Sequence, residues 1–329
     1  MRNTSKAAKF FIVCGIIFAV GLTSTILGAA FGGIEGFKKV AEERNWISGD
    51  PGDMVMNYAG QEDFHSVNVE GDLDVCFVAE KYFKDKDWQD KHDLKDAFGD
   101  SMAADSESLP ITESGKITPE AGSVLVVRGE KVEQPDINVS KGVLNIKASE
   151  TTENGIHMNI SSTPTTPVVY IFCKDDELKS ITSDTLAGDI ELWGVTFAEA
   201  DFNSASGDLI MKGITGKDLA ADLTSGDVEI EGDVTDATSV KAMSGDIELS
   251  GNFTGETKID CTSGDIDFST KLGSDKYDIK VDALSGVLNI KEGDQYEEID
   301  DVPVHFKRKG SPNKLTIEAT SGDVTLNFR

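Results

Sequence analysis

Through the C-terminal half of the chain, apolar and polar residues alternate in short words, and the words recur at a fixed interval. The pairs Gly188-Asp189, Gly207-Asp208, Gly226-Asp227, Gly245-Asp246 and Gly264-Asp265 stand 19 residues apart, and Ser-Gly-Asp returns at Ser321-Gly322-Asp323. Aligned on the glycines, the position two residues on is Ile190, Leu209, Val228, Ile247, Ile266, Leu288 or Val324, and the position four on is Leu192, Met211, Ile230, Leu249, Phe268, Ile290 or Leu326. Between them the residues are mostly charged or polar, as in Asp227-Val228-Glu229-Ile230-Glu231. An alternation of period two is that of a strand with one buried face. A second strand precedes each glycine, with Phe202, Val240, Ile259, Val281 and Ile317 five residues before it and Leu223, Ala242, Cys261, Ala283 and Ala319 three before.

Strands this short cannot bury their apolar faces alone. Stacked coil on coil at roughly 4.8 Å they pair as parallel ladders around one continuous apolar column, and a short fixed period is the mark of such a solenoid. The pattern therefore predicts an all-β fold, a single-chain parallel β-helix (β-solenoid) with coils of about 19 residues. Ser-Gly-Asp suits the corner, because glycine tolerates positive φ and the serine and aspartate side chains bond to nearby backbone. The interval then widens to 22 residues between Gly264 and Gly286 and to 36 between Gly286 and Gly322, so 292–312 reads as an insertion loop.

Ahead of the repeats the organisation changes. Residues 10–34 carry no charge, which is more than the roughly 20 residues needed to cross a bilayer core and longer than the apolar region of a cleaved leader. This favours an uncleaved transmembrane signal-anchor helix behind a short basic cytoplasmic tail, 1–9, with Arg2, Lys6 and Lys9. Residues 35–62 then read as a juxtamembrane stalk and linker, and 63–329 as the β-solenoid, interrupted by a charged insertion loop at 81–110 with a short helix near Trp88 to Phe98. The expected location is the cell membrane, single-pass, with the C-terminal domain extracytoplasmic. The irregular strands at Val67–Val75, Val124–Val127, Val143–Ile146 and Val168–Phe172 fit terminal coils, which depart from the repeat in solenoids.

The residues at this point resemble a known family, the bacterial putative-adhesin proteins built of β-strand repeats and described as a domain of unknown function. The likeness lies in the Ser-Gly-Asp-apolar-x-apolar words, in the lead-in Tyr170-Ile171-Phe172-Cys173-Lys174-Asp175-Asp176-Glu177-Leu178-Lys179-Ser180-Ile181, and in the closing Ser321-Gly322-Asp323-Val324-Thr325-Leu326. It spans roughly residues 60 to 329. The resemblance implies an exported, non-catalytic β-solenoid, often behind one N-terminal membrane segment, and it carries no catalytic or ligand residues over to this chain.

Charge narrows the partners. The net charge is −28, and without the three cations of the N-terminal tail the remainder carries −31, which excludes nucleic acid as a reasonable partner. Three cysteines outside the apolar run, Cys76, Cys173 and Cys261, make no disulfide framework, and Cys261 falls in an inward column as a small core residue. The four histidines, His65, His92, His157 and His305, are scattered over irregular segments. Column neighbours such as Glu191, Glu229, Glu248 and Asp267 would approach the spacing of a glycosidase pair, but a repetitive ladder creates that spacing everywhere. No catalytic residue or cofactor is expected. The candidate metal residues are Asp189, Asp208, Asp227, Asp246 and Asp265, stacked at one corner. Each either accepts backbone N–H bonds there or shares calcium between coils, although the Gly-Gly-x-Gly-x-Asp motif of calcium-binding β-rolls is absent. The sequence thus favours a non-enzymatic binding, adhesion or structural surface in the envelope, facing an envelope protein or polysaccharide. An envelope-stress sensory module acting through a membrane partner is the alternative, and a polysaccharide-active β-helix enzyme a remote one.

Overall fold

The computed structural model describes residues 54–92, 119–129, 132–148, 166–175, 177–310 and 312–329. The uncharged run 10–34, its basic tail and residues 35–53 of the stalk lie outside them, as do 93–110 of the first insertion. Among the described residues no helix is long and apolar enough to cross a membrane.

The N-terminal strands are β1 (Met54–Gly60), β2 (Ser66–Glu70), β3 (Asp74–Ala79), β4 (Ser123–Gly129), β5 (Asp136–Ser140), β6 (Val143–Lys147) and β7 (Val168–Cys173). A 3-10 turn (Glu80–Tyr82) and a short helix α1 (Lys86–Lys91) follow β3. The regular repeats form β8 (Leu178–Ala187), β9 (Ile190–Trp193), β10 (Thr196–Ser206), β11 (Leu209–Ser225), β12 (Val228–Ser244), β13 (Ile247–Phe253), β14 (Glu256–Ser263) and β15 (Ile266–Ser269). The chain ends with β16 (Tyr277–Ala283), β17 (Leu288–Glu292), β18 (Gln295–Ile299), β19 (Val304–Arg308), β20 (Asn313–Ser321) and β21 (Val324–Phe328).

The alternation places the core where the columns predict it. On the parallel ladder that follows the corner, Val75, Ile190, Leu209, Val228, Ile247, Ile266, Val324 and Leu288 stand in register, one per coil, and all are buried. Two residues on, Phe77, Leu192, Met211, Ile230, Leu249, Phe268, Leu326 and Ile290 repeat the arrangement. The ladder before the corner faces them with Phe202, Ala221, Val240, Ile259, Ile317 and Val281. Cys261 sits in this interior, buried as its column requires.

Glycine is required at the corner for space as well as for φ. Gly245 has φ +133°, and a Cβ there would lie 2.0 Å from the Gly226 carbonyl oxygen of the coil below. Only hydrogen lets consecutive coils approach to ladder distance.

The spatial order of coils departs from the order in sequence. β20 and β21, last in the chain, pair with β14 and β15 on one side and with β16 and β17 on the other. The coil made by β2 and β3 is likewise enclosed between β6/β7 and β8/β9. Beyond these coils the pairing turns antiparallel, with β1–β4, β4–β7 and β5–β6 at one end and β16–β19 and β17–β18 at the other. The expectation of a wholly parallel helix is therefore corrected: strand arrangement is mixed. The reason is the unpaired backbone of a terminal coil, which a folded-back strand satisfies through a short turn where a parallel strand would need a full crossover.

Two segments read as irregular also carry strands. The 292–312 insertion holds β18 and β19, and the 35–62 linker ends in β1. All three are capping strands paired antiparallel to a neighbour, so they sit outside the repeat register that made the other strands visible.

Candidate functional site

The corner residues singled out in the sequence come together as one column. Asp74 Oδ1 accepts the Asp189 N–H at 2.9 Å, and Asp189 accepts from Asp208, Asp208 from Asp227 and Asp227 from Asp246, each at 2.8 Å. Asp246 accepts from Asp265 at 2.7 Å, Asp265 from Asp323 and Asp323 from Val287, both at 2.8 Å. One oxygen of every corner aspartate thus satisfies a backbone donor of the next coil, which is the backbone role weighed for them from the sequence. Hydrogen bonds to a carboxylate are charge-assisted, and they offset the repulsion of stacked like charges. Asp74 is the first of these aspartates in the chain. Burial raises its carboxyl to about 6, the charges of Asp189 and Glu191 add to the rise, and the Asp189 amide acts against it.

A second cluster lies on the outer face of the N-terminal coils, where strand residues that elsewhere meet water are roofed. Cys76 and Val78 of β3, Leu125 and Val127 of β4, Tyr170 and Phe172 of β7, and Trp193 of β9 form an apolar patch separate from the solenoid interior, with Trp88 of α1 packed into it. Asp85 starts α1 by accepting the N–H groups of Asp87 and Trp88 at 3.0 and 3.1 Å. Six residues are too few to hold a helix by themselves. What fixes it is Trp88, which is wholly buried, and the two residues at its C-terminal end.

Those residues meet a carboxylate on the sheet. Lys91 Nζ lies 3.0 Å from Glu191 Oε1, and His92 Nε2 lies 3.2 Å from Glu191 Oε2, which also accepts the Trp193 indole N–H at 2.9 Å. The His92 ring is enclosed by Trp88, Tyr170 and Trp193, with centroids 5.5, 5.5 and 6.1 Å away. Burial alone would push Glu191 up; the hydrogen bond and charge of His92, then Trp193 and Lys91, outweigh it and bring the carboxyl down to about 2. Cys76 is the direct ladder partner of Glu191, and its sulfur stands 3.9 Å from His92 Nε2. Burial pushes this thiol well above its ordinary range, with the Glu191 charge acting the same way. Tyr170, next in the same row, is also raised by burial.

Of these residues the sequence exposed Glu191, through its column, and Cys76, as an isolated cysteine. It did not join them. Leu73-Asp74-Val75-Cys76-Phe77 stands in the place of Gly188-Asp189-Ile190-Glu191-Leu192, a match that alignment on Asp-apolar-x-apolar would have found and alignment on glycine misses. His92 arrives from an insertion with no repeat and had no signal. Farther along the carboxylate column, Glu229 is engaged by Lys212, while Glu248 stays exposed.

Comparison with solved structures finds matches at low identity. One, described as a putative adhesin from Bacteroides fragilis, is 11% identical with a TM-score of 0.41, over 83% of this chain and 96% of its own. A putative adhesin from Parabacteroides distasonis is 11% identical with a TM-score of 0.40, over 84% and 99%. A putative cell adhesion protein from Clostridium sporogenes is 12% identical with a TM-score of 0.31, over 84% and 99%. No curated protein matches the chain. The Toastrack DUF4097 family profile matches residues 103–300, more than half of the sequence, and the chain belongs to that family.

Proposed function

We propose that this protein is a non-catalytic, membrane-anchored β-solenoid of the cell envelope whose extracytoplasmic body, residues 63–329, serves as a binding or structural surface for an envelope protein or polysaccharide. The observation that carries the reading is the fixed register. Each outward column repeats once per coil, so Glu229, Glu248 and Asp267 stand on three successive rungs as an acidic row, with Glu248 exposed and the other two half-buried. Such a row suits recognition of an extended or cationic partner through many weak contacts. The uncharged run 10–34 and the basic tail support a single-span anchor with the body outside.

The test is cross-linking of the full-length protein in intact cells, comparing it with a Glu231→Lys/Glu248→Lys variant. Both positions are exposed, so the variant should melt as the parent does while losing most captured envelope material. Equal capture by both proteins would refute the surface reading. Survival of the body in protease-treated spheroplasts would refute the topology.

A further inference from the structure

We propose that Cys76 Sγ, His92 Nε2 and the Glu191 carboxylate form a binding site for a single borderline-soft divalent metal ion of the zinc class. The three ligand atoms lie within 4.8 Å of one another, in the only such group of mixed donors among the described residues. A tetrahedral ion with bonds of about 2.3 Å to sulfur and about 2.0 Å to nitrogen and oxygen holds its ligand atoms roughly 3.2 to 3.7 Å apart. The observed separations are 3.9 Å for Cys76 Sγ to His92 Nε2 and 3.2 Å for His92 Nε2 to Glu191 Oε2, within a few tenths of an ångström of those edges, while Cys76 Sγ and the Glu191 carboxylate, within 4.8 Å of each other, would close by up to about 1 Å through side-chain rotation. One sulfur, one imidazole nitrogen and one carboxylate suit zinc or cobalt and disfavour calcium and magnesium, which take oxygen ligands throughout.

The surroundings supply what such a site needs. The Trp193 N–H and Lys91 Nζ already orient the Glu191 carboxylate, leaving a lone pair on Oε2 for the ion and keeping Oε1 on the lysine. Trp88 provides a second, independent observation. Its indole Nε1 is wholly buried with no nitrogen or oxygen partner, in the same enclosed patch as Cys76. A buried donor without a strong acceptor is costly, and a thiolate in the same patch is a stronger acceptor than a thiol. Binding is balanced by release to solvent of the Cys76 thiol proton and of the Nε2 proton that His92 carries while it is paired as a cation with Glu191, leaving a neutral imidazole bound through Nε2. Three protein donors leave the fourth position for water.

The ion would tie three separate elements together: β3, β9 on the neighbouring coil, and the C-terminal end of α1. Its role would be to fasten the roof of the outer patch. This does not depend on the envelope reading above.

The experiment uses the full chain in detergent, reduced, stripped with chelator and titrated with cobalt and with zinc. One equivalent of cobalt should bind, with a thiolate charge-transfer band and the intense visible bands of a tetrahedral ion, and zinc should displace it and raise the melting temperature. Cys76→Ala and His92→Gln should each weaken binding roughly 100-fold or more, beyond the 10- to 100-fold typical of supporting residues. Cys173→Ala, which removes another buried thiol, should leave it intact. Should Cys76→Ala fail to fold, the charge-transfer band of the parent read against His92→Gln decides the matter. Absence of a stoichiometric cobalt complex, a complex without the thiolate band, or binding unchanged in His92→Gln would each overturn the proposal.

Discussion

Replacing Gly245 by Ala should be among the most damaging single changes to the repeat, although it adds one methyl group at a corner near solvent. The ideal Cβ falls 2.0 Å from the Gly226 carbonyl oxygen, and φ is +133°, so the methyl is forced into the coil below while the backbone adopts a conformation unfavourable to alanine. Relief requires the corner to open by more than about 1 Å, to ordinary van der Waals separation. Three hydrogen bonds span that gap: Gly226 N–H to Ser244 O at 3.1 Å, Val228 N–H to Asp246 O at 2.9 Å, and Asp246 N–H to Asp227 Oδ1 at 2.8 Å. At about 0.5–1.5 kcal/mol each they amount to roughly 1.5–4.5 kcal/mol, and the left-handed strain adds about 1–2 kcal/mol. Two controls separate these causes. Gly293 has φ +57° with nothing within 4 Å of its Cβ position, so Gly293→Ala should show only the strain; Gly60 has neither constraint, so Gly60→Ala should be close to neutral. For a body of this size, each kcal/mol moves the melting temperature by about 2–4 °C. Thermal unfolding followed by far-UV circular dichroism should therefore rank Gly60→Ala, Gly293→Ala and Gly245→Ala in order of increasing loss, the last by about 6 °C or more. A Gly245→Ala protein that melts with Gly293→Ala would refute the argument that close approach of coils, and not φ alone, demands glycine.

Ile247→Asp should unfold neighbouring coils by placing a charge in the buried column at a cost of several kcal/mol, whereas Glu248→Lys, one residue on and exposed, should change the melting temperature little; equal losses would mean the register is wrong. Chelation of calcium should not unfold the protein, because each corner carboxylate already accepts a backbone N–H; strand signal restored only by calcium would overturn this, while a similar small gain with calcium or magnesium at matched ionic strength would mark screening of an acidic face. Asp74→Asn should stabilise the metal-free protein at neutral pH by about 1–2 kcal/mol after allowance for the group's partial exposure. The folded carboxyl, raised to about 6, binds its proton more tightly than the unfolded one, so Asp74 should favour the folded state most at low pH and lose that contribution as pH rises from about 4 through 6; parallel pH–stability curves for parent and variant would exclude this origin.

The repeat was legible because its physics is local. A buried face needs apolar side chains at every second position, and a corner packed against the next corner needs glycine, so Gly226-Asp227-Val228-Glu229-Ile230 states its own conformation and its neighbours'. The ends follow a different physics. β18 and β19 are called for by the unpaired backbone of the last coil, and that demand imposes pairing without a side-chain period; Gln295–Ile299 is almost wholly exposed and could not have been told from a charged loop. The displaced coil was equally hidden. The 36-residue gap between Gly286 and Gly322 announces an insertion, but nothing in it says that β20 and β21 return beneath β16 and β17. The outer cluster was missed for a third reason. Cys76 and Glu191 are neighbours only because two coils 115 residues apart are adjacent in space, and His92 reaches them from a short element outside the repeat, held by buried Trp88 and by the contacts of Lys91 and His92 themselves.

The capped ends bear on how the acidic face is used. A bare terminal coil would present a row of backbone donors and acceptors to any strand, including another copy of itself, and a stack of identical coils is a template for open-ended growth. Here the outermost strands are short, and at the C-terminal end they are charged, with Glu297 and Glu298 on β18 and Lys307 and Arg308 on β19. Arg308 further ties the two strands together through Glu297 and reaches Glu292 of β17. Strand addition is discouraged at that end by geometry and by charge. For the binding role proposed above, what remains is the lateral surface, where register fixes the spacing of Glu229, Glu248 and Asp267 coil by coil. A partner that reads this surface must match a repeat of one coil rise, roughly 4.8 Å, which favours an extended chain with a regular spacing of donors or cations over a compact surface with none.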